Sequence, residues 1–239
     1  SYPAYVVPEY ALPGGSMLGH LATGAAIGVI LGLASALFVY LFSRLGELFR
    51  WLEGLDLLKP TLVMGALGSA AVFYPQLLGN GYDTVNAVLH GKFPLRPLEV
   101  VAICALKVIL TALCRASGIP GGLFTPSLFV GALLGAFCSD ALAPLVPSDP
   151  SVVPVCALLG MGAILAGTIH APITAVLLVF ELTQNYAVIL PLMCASLAST
   201  LVSRLLTRGS LITEPLRRRG ITLPGALTPT WLRQPTVRD

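Results

Sequence analysis

Gly118-Ile119-Pro120-Gly121-Gly122-Leu123-Phe124-Thr125-Pro126-Ser127 is a glycine-rich turn set inside sequence apolar enough for a membrane. Lys107 and Arg115 lie before it, and no charged residue follows until Asp140. A turn at that depth leaves backbone amides without helical partners. In hydrocarbon such groups are costly unless protein or a polar cavity surrounds them. Gly121 and Gly122 carry no Cβ, so an ion can approach their backbone closely. Leu123 and Phe124 open the next helix, which leaves their own amides unpaired. A helix start offers an anion positive potential without a full charge, which suits an ion that must be held and then released. The residues alone leave a second reading open, a glycine turn that only packs helices.

The rest of the chain supports the membrane setting. Of its 239 residues 56% are hydrophobic and 10% charged, with a mean hydropathy of +0.86. A soluble domain carries about 25% charged residues. No Asp, Glu, Lys or Arg occurs in residues 10–43, 60–82, 116–139, 150–180 or 182–203. Each run can hold a helix of roughly 20 residues, the length that crosses about 30 Å of hydrocarbon. The net charge of +3 matters less than its placement. Arg204, Arg208 and Arg217 to Arg219 follow the last apolar run, which puts that end in the cytoplasm. Such juxtamembrane arginines are topology signals, and no nucleic-acid partner is expected.

Cys104, Cys114, Cys138, Cys156 and Cys194 lie in or beside apolar runs without metal-ligand spacing, so they read as small hydrophobes. No nucleophile–base pair or metal cluster supports an enzyme, and neither metal nor cofactor is expected. The chain begins at Ser1 and lacks the charged start of a signal peptide, which reads as a fragment or a processed product.

The pattern predicts an all-α chain. Residues 1–16 read as a loop, and a long helix follows over 17–48. Gly24, Gly28 and Gly32 recur in it at spacing four and leave one face smooth enough for a second helix. Residues 51–59 are amphipathic, and 60–79 are apolar up to the turn at Gly79-Asn80-Gly81. A short helix over 84–90 and a loop over 91–97 precede a helix over 98–115. Lys107 in that helix has two readings: a functional ionisable group, or a lysine that snorkels or pairs with a carbonyl. Residues 126–142 are helical and 144–154 a proline-rich loop. Two short helices over 155–169 and 173–184 flank Gly167 to Pro172, neither a comfortable full span. Pro172 suits the first turn of its helix. Such adjacent, proline-broken segments occur in transporters with discontinuous helices. A final long helix covers 188–206, a short stretch 210–216, and a linker 217–239.

Residues 118–127 resemble the signature of the CLC family of chloride channels and chloride/proton exchangers. Further matches follow in order: Tyr82 and Asp83 after the Gly-Asn-Gly turn, Lys107 and Thr111, Gly160-Met161-Gly162-Ala163, His170-Ala171-Pro172-Ile173-Thr174, Val179-Phe180-Glu181-Leu182-Thr183, then Tyr186 and Leu190-Pro191. The resemblance implies the second of two inverted halves, spanning 1–216, with broken and re-entrant helices and a cytoplasmic linker over 217–239 toward regulatory CBS domains. It implies chloride as the transported ion, held by the amides of Leu123 and Phe124 within a site formed by Gly121, Gly122, Leu123, Phe124 and Thr125. A tyrosine of the family's inner gate aligns with Ile212, which offers no hydrogen bond. The gating and proton-relay glutamates, which divide channel from exchanger, would lie in the other half.

The resemblance also implies a homodimer in lipid, through residues 173–184 and 188–203. It makes Glu181 a structural, capping or hydrogen-bonding residue, and His170 reads as a loop histidine. The competing reading is a truncated membrane scaffold that only dimerises.

Overall fold

The computed structural model describes residues 17–50, 58–93, 96–142, 152–207 and 209–214. Eight α-helices and no strand occur among them: α1 (Met17–Arg50), α2 (Leu58–Phe73), α3 (Tyr82–Leu89), α4 (Pro97–Ala116), α5 (Phe124–Leu142), α6 (Val152–Ile169), α7 (Pro172–Thr183) and α8 (Ile189–Leu206). The expected loop at 1–16, nearly all of the amphipathic stretch at 51–59, and the linker at 217–239 lie outside the described residues.

Helix α6 is the centre of the molecule and packs against α1, α5, α7 and α8. It is apolar all round, and 89% of it is buried inside the protein. A helix with no polar face belongs in a protein interior or a membrane. Glycines bring its neighbours to backbone contact. A Cβ on Gly131 of α5 would stand 2.5 Å from the Gly160 carbonyl oxygen, and one on Gly135 would meet the Cys156 carbonyl. The α5–α6 pair is therefore antiparallel. On the other side, Gly24, Gly28 and Gly32 of α1 lie against Pro191, Ala195 and Ser199 of α8, a parallel pair. The smooth face expected of α1 is thus where α8 seats. Ser199 Oγ ties α8 to α6 by donating to the Ala163 carbonyl at 2.6 Å.

Four helices are long and apolar enough to cross a membrane: residues Met17–Glu47 of α1, then α4, α6 and α8. Two sequence expectations are corrected here. Helix α6 is not a short segment, because it begins at Val152 rather than 155 and reaches 18 residues. Pro154 lies in its first turn, where a missing N–H breaks no helical bond. The charge-free run at 60–82, expected to have room for a full span, holds only residues 60–73 of the 16-residue α2, whereas α4 is long and apolar enough although it carries Glu99, Lys107 and Arg115. Helix α2 stops at Phe73, and residues Pro75–Leu77 form a 3-10 turn.

Pro172 takes the first turn of α7, as its backbone predicts. Glu181 is exposed, and no described residue hydrogen-bonds its side chain. The expected capping or hydrogen-bonding role is therefore not seen among the described residues; the C-terminal end of α7 is closed instead by the backbone of Gln184 in the left-handed region (φ 53), its N–H donating to Phe180 O. His170 sits between α6 and α7, its Nε2 3.3 Å from Ser203 Oγ, and Arg204 donates to its carbonyl at 2.9 Å. It fastens a helix break to α8. No group of three or more possible metal ligands occurs among the described residues.

Candidate functional site: a cationic cleft at the start of α5

The glycine-rich turn divides into two devices. Its first part stops α4. Gly118 has φ +86, Ile119 N–H donates to Cys114 O at 3.1 Å, and Gly118 N–H donates to Arg115 O at 3.3 Å. That pair of bonds is the Schellman helix stop, in which the left-handed position favours glycine. Its second part starts α5. Among the described residues none accepts a backbone hydrogen bond from the amides of Gly121 to Thr125, whereas Ser127 N–H returns to Leu123 O. Pro126 has no N–H to orphan. A helix start with unpaired amides concentrates the positive end of the helix dipole.

Four of these residues, Gly121, Gly122, Leu123 and Thr125, line a cleft of ≈ 370 Å³, and Phe124 does not. One wall is the turn itself, with Gly121, Gly122, Leu123 and Thr125. Among the described residues, chain neighbours aside, no atom lies within 4 Å of where a Cβ on Gly121 or Gly122 would stand. Another wall is a single face of α4, made by Lys107, Thr111 and Arg115 at spacing four. The third is the loop after α2, which contributes Leu77, Gly79 and Asn80. Among the described residues the lining holds two cationic side chains and no carboxylate.

Lys107 is 5% exposed and carries no ion pair among the described residues. Its ammonium donates to Leu77 O at 2.9 Å and Gly79 O at 3.0 Å, and sits 4.9 Å from the ring centroid of Phe129 on α5. Of the two sequence readings, pairing with carbonyls is the observed one. Two carbonyl dipoles and a ring face stabilise a buried charge that would otherwise be costly.

Four of the expected site residues, Gly121, Gly122, Leu123 and Thr125, line the cleft, while Phe124 has its side chain 43% exposed outside the lining. Ile212 lies outside this cleft and is 50% exposed. It belongs to a turn closed by Ser210 and Thr213, whose side chains bond each other and the local amides. Leu211 N–H donates to Thr168 O at 2.9 Å, which fixes that turn at the end of α6. Carried forward, the antiparallel register sets the start of α5 beside that same end. Ile212 and the cleft therefore share one end of the α5–α6 pair. Arg115, Asn80 and Gly79 were not singled out from sequence as site residues. The 107/111/115 spacing on one helix face was the available signal for Arg115, and no local signal marks the two loop residues.

The chain is thus a broken-helix, multi-pass membrane protein with a cationic cleft at a helix start. A family model described as "Voltage gated chloride channel" matches residues 6–204, and the chain belongs to that family. It is 34% identical over 231 residues to a ClcB-like protein of Ralstonia nicotianae, covering 94% of this chain and 52% of that one. It is 35% identical over 219 residues to the H(+)/Cl(-) exchange transporter ClcA of Vibrio campbellii, covering 89% and 45%. Among solved structures, a slow cyanobacterial Cl-/H+ antiporter superposes with a TM-score of 0.80 at 26% identity, covering 90% of this chain and 50% of that one. The chain thus spans about half the length of the relatives it matches.

Proposed function

We propose that this chain supplies half of the ion site of a CLC-type chloride transporter, with chloride held by the backbone amides of Leu123 and Phe124. Gly121, Gly122 and Thr125 form the approach to those amides. The observation that carries the reading is a helix start with unpaired amides beside a cleft that Leu123 lines, where the described lining residues include Lys107 and Arg115 and no carboxylate. Amide dipoles in a low-dielectric cleft attract a halide, yet release it more readily than a direct contact with an unscreened ammonium.

The carboxyl-terminal end is cytoplasmic in this reading, from the arginines after α8. Two copies pair through 173–184 and 188–203. Ile173, Leu177, Leu190, Met193, Leu197 and Leu201 leave an exposed apolar stripe there, which supports pairing in lipid. The same stripe favours the second reading, a scaffold that dimerises without transporting.

The test is anion flux from liposomes holding the protein as its gene encodes it. Gly122→Val adds bulk where the structure has open space, so the fold is retained. Chloride flux is expected to fall about a hundredfold, on the scale of removing an oriented backbone donor. Unchanged flux in a folded variant sinks the assignment. Absence of chloride flux in the wild type favours the scaffold. Proton flux recorded beside chloride separates exchange from passive conduction.

A further inference from the structure

The cleft has a wall that the proposed site does not use. Gly79 and Asn80 face the glycine-rich turn from a loop 28 residues before Lys107 in sequence. The loop's own backbone hydrogen bonds are those of the 3-10 turn at Pro75–Leu77 and, at its other end, Val85 N–H to Gly81 O at 3.0 Å where α3 begins; none is made by Gly79 or Asn80. Two contacts with the rest of the protein hold it there. The Lys107 ammonium holds the carbonyls of Leu77 and Gly79 from α4. The Phe129 ring of α5 occupies the space where a side chain on Gly81 would stand, and Gly81 itself takes φ +73. The same ring supports the ammonium from its face. Loop, α4 and α5 are thus locked at one point, and that point is buried.

We propose that Lys107 is a positioning and selectivity-determining residue of the anion cleft, clamping Gly79–Asn80 opposite Gly121–Gly122 and placing a screened positive charge behind that wall. This rests on the reading of the cleft as an anion path. The clamp does two physical things. It fixes the width of the cleft, because the loop's position is set by two short bonds to one rigid helix. It also biases the cleft toward anions, because a charge close to low-dielectric walls focuses the field into the opening. The two carbonyls absorb part of the ammonium's field, so the charge attracts an anion without trapping it. The cleft then favours a small, compact monovalent anion over a large, weakly hydrated one.

The experiment compares chloride and thiocyanate flux in liposomes for the protein as its gene encodes it. Lys107→Met keeps an unbranched apolar side chain and removes both bonds and charge. Chloride flux is expected to fall about tenfold, the lower end of what a focused charge contributes to ion capture. Thiocyanate falls less, so the thiocyanate-to-chloride ratio rises. Lys107→Arg keeps the charge and the donors and brings both readouts back to near wild type. A folded Lys107→Met protein with wild-type flux and ratio overturns the proposal. An equal loss for both anions, the mark of a purely structural role, overturns it as well. If Lys107→Met does not fold, Asn80→Leu tests the wall from an exposed position. Narrowing there should lower the thiocyanate-to-chloride ratio, and an unchanged ratio overturns the clamp. Gly122→Val separates the two levels. Lost chloride flux in Gly122→Val with no effect at Lys107 sinks only the clamp. Intact flux in Gly122→Val sinks the cleft reading beneath it.

Discussion

Gly131 and Gly160 are buried to backbone contact, while Gly121 and Gly122 face open space, and the two pairs put one residue type to opposite uses. In the α5–α6 seam the absent Cβ lets two main chains touch, with Gly131 against the carbonyl of Gly160 and Gly160 against that of Gly131. In the turn the absent Cβ leaves room that no protein atom fills within 4 Å. Glycine in the seam is a packing device, and in the proposed site glycine in the turn would be an access device. The first should govern stability and the second flux.

The sharpest way to break this division is Gly160→Val. A branched side chain there must displace backbone on α5, which cannot yield as a flexible side chain would. Overpacking of this kind costs about 3 kcal/mol, at the upper end of the usual range. The expected outcome is a strongly lowered unfolding temperature in detergent, or loss of the folded peak in gel filtration. A variant as stable as wild type would mean that the seam is looser than the structure shows. Gly122→Val is the counterpart. Its stability should stay within about 0.5 kcal/mol of wild type, as for an open surface site, while its flux is lost.

Gly118 sits between these extremes and sharpens the contrast. It has open space like Gly122, yet its φ of +86 is a conformation that side chains resist. Gly118→Ala should therefore cost about 1 kcal/mol through the backbone alone. A thermal unfolding shift without steric repacking is the expected signature. An unchanged midpoint would mean that the helix stop tolerates a side chain and that Gly118 belongs with the access glycines.

The contrast also shows what was legible in sequence. Hydropathy and proline placement were enough for the all-helical membrane fold and for most helix boundaries. The start of α6 was misplaced because Pro154 looks like a loop residue, although a first-turn proline costs nothing. The turn at residues 118–127 reads as a candidate site from sequence, but its division into a helix stop and a helix start depends on φ at Gly118, which composition does not reveal. Seam glycines and cleft glycines look alike in one dimension, since spacing four marks Gly131 and Gly135 without naming the surface they meet. Lys107 was flagged as an ionisable group at depth. Its partners come from a loop 28 to 30 residues upstream, and only the packing of α4 on the segment after α2 brings them together. For Glu181 the resemblance implies a structural, capping or hydrogen-bonding role, yet its side chain is exposed and no described residue hydrogen-bonds it.

The smallest expected effect lies at Ile212, on the other side of the comparison from both glycine classes. Its turn shares an end with the start of α5, through the bond from Leu211 N–H to Thr168 O. Its side chain is half exposed and offers an anion no hydrogen bond. Ile212→Tyr adds a hydroxyl at a position with room for it. If that hydroxyl reaches the ion held at α5, it contributes one hydrogen bond, worth about 1 kcal/mol net. Chloride binding measured by calorimetry would then tighten about fivefold. Stability should barely move, because the turn is held by Ser210 and Thr213 rather than by residue 212. An unchanged chloride affinity in the folded variant would place Ile212 off the proposed ion path and restrict that proposal to the amides of Leu123 and Phe124.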